Sequence, residues 1–122
     1  MNTLFSLLRY DSAVRRLTEV FGRAAEQTMV YGAAGALKHA AAAASYDAAP
    51  RPLAVVTAGR EALRGWQEDL TALLPEADIY ELPELDRMDF AAPGAAKGLE
   101  RSAQRMNILA RLLRREPIIV LA

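Results

Sequence analysis

Eight consecutive residues, Gly32, Ala33, Ala34, Gly35, Ala36, Leu37, Lys38 and His39, come close to a phosphate-binding loop. The complete pattern is G-x-x-x-x-G-K-[ST]. Gly32 and Lys38 match it, whereas Leu37 stands where the second glycine belongs and His39 where the hydroxyl belongs. Such a loop works because successive backbone N–H groups point at the phosphates and a helix N-terminus adds positive potential. Glycine before the lysine lets the backbone approach the phosphate with no side chain in the way. Leu37 places a Cβ and a branched side chain there. The hydroxyl coordinates magnesium, and imidazole is a poor ligand for a hard ion that prefers oxygen. Three readings stand: a working nucleotide site, a descendant of one that no longer binds, or a strand-to-helix turn using glycines for tight geometry. Lys38 alone still attracts an anion, a much weaker function.

Little else has the makings of a reactive site. His39 is the sole histidine and there is no cysteine. A metal needs several convergent ligands, and no Ser/His/Asp arrangement is credible around one histidine in an alanine-rich segment. Glu81, Glu84, Asp86 and Asp89 lie in a loop without a partner histidine, so they are not read as a general acid/base pair. Arg101, Arg105, Arg111, Arg114 and Arg115 give one long segment a basic character. A solvated face is the default for such charges, and Arg114 and Arg115 suit a helix C-terminus. No catalytic residue, cofactor-binding residue or metal ligand is assigned.

The elements that would position these residues alternate. "TLFSLLRY" and "DSAVRRLTEVFGRA" read as helical pieces, the second capped by Asp11 or Ser12, with Val14, Leu17, Val20 and Phe21 on one face. "QTMVYG" reads as a short buried strand and "AGALKHAAAAASY" as the helix after it, its small residues suited to close packing on a sheet. "RPLAVVTA" reads as a strand covered on both faces through Leu53, Val55 and Val56. In "GREALRGWQEDLTALL", Leu63, Trp66, Leu70, Leu73 and Leu74 share a helical face, with Glu61, Arg64 and Glu68 outward. "EADIYEL" is a brief strand, residues 82–98 a loop, and "LERSAQRMNILARLLRRE" a long helix with the stripe Leu99, Ala103, Met106, Leu109, Leu113. "PIIVLA" is a last strand. The expected fold is α/β, with a mostly parallel sheet of about four strands flanked by helices and joined by right-handed crossovers.

The chain has 122 residues, the size of one small domain, and 52% of them are apolar, enough for a core. Fifteen basic residues balance fifteen acidic ones, so bulk charge makes no case for nucleic acid or anionic lipid. No apolar run approaches the roughly 20 residues of a membrane span, and "MNTLFSLLRY" lacks the positive leader of a secretion signal. Absence of cysteine fits a reducing cytoplasm. A buried strand at the very end, "IIVLA", suggests a fragment of a longer protein whose continuation helps to close this layer.

The order of "VYGAAGALKHA", "PLAVVTAGREALRGWQEDLTALLPEADIYELPELD" and "LERSAQRMNILARLLRREPIIVLA" resembles the amino-terminal segment of the bacterial transcription-repair coupling factor. That segment is similar to the first motor domain of the excinuclease B subunit. The likeness covers nearly all of the chain. It implies a degenerate, helicase-like half-domain that keeps the fold but not nucleotide hydrolysis, and Leu37 and His39 are what such a loss would look like. It implies a parent that displaces stalled RNA polymerase with a separate motor using ATP and magnesium. That parent recruits the excinuclease A subunit, mainly through a neighbouring domain, so this segment acts as scaffold within its own chain. DNA and polymerase contacts would belong to other domains, the location would be cytoplasmic, and no membrane is involved.

One departure bears on DNA. The excinuclease B subunit clamps DNA with a long tyrosine-rich hairpin, whereas residues 82–98 are short, with Phe90 the sole aromatic and Glu84, Asp86 and Asp89 facing Arg87 and Lys97. Stacking on single strands needs aromatic platforms and a basic track, so clamping here is not expected. Two rivals remain: a small nucleotide-binding α/β enzyme with an atypical loop, and a free-standing flavodoxin-like binding domain.

Overall fold

A computed structural model describes residues 3–23, 27–84 and 95–122. The chain divides into two compact units: Met1–Pro50 with Arg64–Glu76, and Arg51–Leu63 with Ala77–Ala122.

The first unit is helical. It holds α1 (Thr3–Leu8), α2 (Ser12–Phe21), α3 (Ala36–Ala48) and most of α4 (Arg60–Leu73). Asp11 caps α2, its carboxylate accepting from the amides of Ala13 at 2.8 Å and Val14 at 3.0 Å. Val14 is buried, and Leu17, Val20 and Phe21 are half-buried on the same side. Phe5 anchors α1. Alanine dominates the buried face of α3 (Ala41, Ala43 and Ala44, with Ser45 and Tyr46), and in this unit that face packs on α1 and α2. The Ser45 hydroxyl is satisfied by the carbonyl of Ala41 at 2.9 Å, so its burial leaves no orphan polar group. Leu70 and Leu74 are buried on α4, with Leu63, Trp66 and Leu73 half-buried and Glu61, Arg64 and Glu68 exposed.

The second unit carries the sheet. Its strands β1 (Leu53–Val55), β2 (Asp78–Glu81) and β3 (Ile118–Leu121) are all parallel in the order β1-β3-β2. Between β2 and β3 comes α5 (Ala95–Leu113). All four residues of β3 are buried, as the central strand of a parallel sheet requires. Ile108 of α5 packs on Ile118 and Val120, with Tyr80, Leu82 and Leu112 around them.

Four sequence expectations change. Residues 27–31 form no strand: Met29, Val30 and Tyr31 are exposed, and the sheet has three strands rather than about four. A strand needs neighbours for its N–H and C=O groups. Here β3 is already paired on both sides, and residues 27–31 belong to the helical unit. Next, β1 is not covered on both faces, because Ala54 is exposed and Val56 is 83% exposed. Third, α5 starts at Ala95, one turn before Leu99, taking in residues expected to be loop. The rest of that loop, residues 85–94, includes Asp86, Arg87, Asp89 and Phe90 and lies outside the described residues. Finally, the stripe Leu99, Ala103, Met106, Leu109, Leu113 is exposed, while the side at Ile108 and Leu112 packs. The periodicity of α5 supports two apolar faces, and β3 takes only one.

The end of α5 is set by the backbone. Arg115 adopts φ 56°, the Glu116 amide donates to the carbonyl of Arg111 at 3.1 Å, and the Arg115 amide donates to that of Leu112 at 2.9 Å. This is the paired closure of a Schellman cap, in which the left-handed position usually falls to glycine. Pro117 then prevents the helix from continuing. The Arg111 guanidinium meets Glu116 at 2.5 Å and Asp78 at 2.7 Å and also donates to the Tyr80 hydroxyl, joining α5 to β2. Glu116 first, and Asp78 second, hold it above the ordinary arginine range. The sign is that of a raised basic group: its stabilisation is complete below the ordinary value and fades only above it, so it is constant across roughly pH 6 to 9.

Among the described residues no helix is long and apolar enough to cross a membrane.

Candidate functional site

Gly32 and Gly35 both take left-handed backbone, with φ of 79° and 55°. That conformation is cheap for glycine and strained for other residues, so the two glycines fix the turn that enters α3. Gly35 is the N-cap of α3 and makes no side-chain cap. The helix starts at Ala36, so Leu37, Lys38 and His39 form its first turn.

This placement decides what the loop can do. A phosphate cradle needs inward amides that are not already bonded. The Ala34 amide donates to the carbonyl of Gly32 at 3.1 Å, and the Leu37 amide to that of Ala34 at 3.3 Å. Both donors are therefore turned into the chain. The Leu37 side chain is 49% exposed, and Lys38 is exposed beside it.

His39 points the other way and is buried. Its Nδ1 lies 2.5 Å from Asp69 Oδ2. Facing a carboxylate, Nδ1 is the protonated nitrogen and donates. The ring sits 4.1 Å from that of Trp66, tilted by 47°. Gly65 completes the pocket: a Cβ there would stand 3.9 Å from His39 Cε1. Trp66 and Asp69 are three residues apart on α4 and share its surface. The site is a buried histidine packed by an indole and oriented by an acid, holding α3 to α4 within the helical unit.

The position that would present a hydroxyl to magnesium is thus committed to packing. Gly32, Gly35, Leu37, Lys38 and His39 are brought together only as neighbours in one turn, and Lys38 is the one side chain among them that offers charge to solvent. Asp69 and Trp66 were not singled out as partners of His39 by sequence. Their three-residue spacing was visible, but nothing in it named the helix they would meet.

The other charged candidates disperse. Glu81 is exposed, and Glu84 is exposed with Arg60 3.9 Å away, too loose to be worth more than a few tenths of a kcal/mol. The basic helix is divided in use: Arg111 is held as described, Arg105 donates to the carbonyl of Pro83 at 2.5 Å, and Arg114 lies 3.8 Å from Glu116. No group of three or more metal-ligating side chains occurs among the described residues. No family model matches this chain, and neither a curated protein nor a solved structure matches it.

Proposed function

We propose that this chain is a non-catalytic scaffold segment of a transcription-repair coupling factor, derived from a nucleotide-binding motor domain whose loop has lost its ligand. The parent would remove RNA polymerase stalled at DNA lesions and recruit the excinuclease A subunit, with ATP and magnesium used by a separate motor. The observation that carries the non-catalytic half is the seat of His39, 2.5 Å from Asp69 and against Trp66, at the position where a working loop needs a hydroxyl. Leu37 in the first turn of α3 and the amides of Ala34 and Leu37, already bonded to carbonyls of the same turn, support it. The coupling half rests on the resemblance of the quoted segments and on a parallel α/β unit compatible with a helicase-like half-domain.

Isothermal titration with magnesium-ATP tests the first half. No binding is expected, and the double substitution Leu37→Gly, His39→Thr, which restores the pattern of a working loop, is the positive comparison. Micromolar binding or ATP hydrolysis by the unaltered chain would hand the assignment to a small nucleotide-dependent enzyme. For the second half, deleting the segment from its parent should spare removal of stalled polymerase and abolish recruitment of the excinuclease A subunit. Undiminished recruitment would reject the scaffold role.

A further inference from the structure

We draw no further inference here: the strongest candidate, the exposed apolar stripe of Leu99, Met106, Leu109 and Leu113 along the outer face of α5, carries none, because its border arginines, Arg105 and Arg114, already face the Pro83 carbonyl and Glu116 and nothing in the structure shows what covers it.

Discussion

The first turn of α3 and the outer face of α5 invert the usual rule of burial. His39 is 8% exposed, while Leu113 is 85% exposed. The histidine can be buried because its polar edge is answered by Asp69 and its flat face by Trp66, which removes most of the desolvation cost. The leucine stays in solvent because β3 covers one side of α5, and the apolar surface of the helix is wider than that. Burial here follows from what an element faces, and residue type sets only how favourable the result is.

The most damaging way to probe this contrast is within α5. Ile108 is 6% exposed and packs on Ile118 and Val120. Ile108→Ala should cost about 2–5 kcal/mol, the transfer term plus the cavity it leaves. Urea titration followed by circular dichroism measures it. A loss under about 1 kcal/mol would mean that the side facing β3 is not the packed one.

Next comes His39→Ala. It removes a stacked ring and leaves Asp69 without its partner, at an expected cost of about 1–3 kcal/mol. The lower part of that range is favoured because Asp69 keeps 41% of its side chain in solvent and can be rehydrated. Trp66 is the sole tryptophan, so its fluorescence reports the loss directly. A double-mutant cycle with Asp69→Ala should return a coupling of about 0.5–1 kcal/mol. Additive effects would show that the short contact contributes nothing to holding α3 on α4.

These two substitutions also mark where the sequence was and was not readable. The stripes of α2 and α4 were legible from periodicity, because each has one apolar side and polar residues elsewhere. The strand IIVL was legible because an unbroken apolar run suits a strand covered on both faces. Residues 27–31 misled for the complementary reason: TMVY has strand composition, but a strand is made by its neighbours, and this segment belongs to the helical unit and pairs with no strand of the sheet. In α5 the larger residues Leu99, Met106, Leu109 and Leu113 outvoted Ile108 and Leu112 in the pattern, although the latter pair packs. The turn at Gly32–His39 was legible as a departure from the phosphate loop. The seat of His39 was not, because Asp69 lies thirty residues away and no local pattern links them.

A gain of stability is expected at the end of α5. Arg115 holds φ 56°, a position where a Cβ costs roughly 1–2 kcal/mol. Arg115→Gly keeps both closing hydrogen bonds, which are made by backbone, and relieves that strain. The net gain should be about 0.5–1 kcal/mol after the greater freedom of glycine in the unfolded chain is subtracted. A destabilised variant would mean that the Arg115 side chain contributes more than its backbone strain costs.

The smallest effect is the most telling for the outer face of α5. Leu113→Lys places a charge on a seam of apolar residues, and in a packed core such a change would unfold the protein. At 85% exposure the leucine loses almost no buried area, and lysine is at least as good a helix former. Its position in the last turn of α5 even suits the helix dipole. The expected change is within about 0.5 kcal/mol of zero, seen as an unshifted urea midpoint. A large loss would mean that Leu113 is covered in solution by something the isolated fold does not provide, whereas near-neutrality leaves the stripe free for a partner and makes α5 the counterpart of α3, one helix holding its polar residue inward and the other its apolar residues outward.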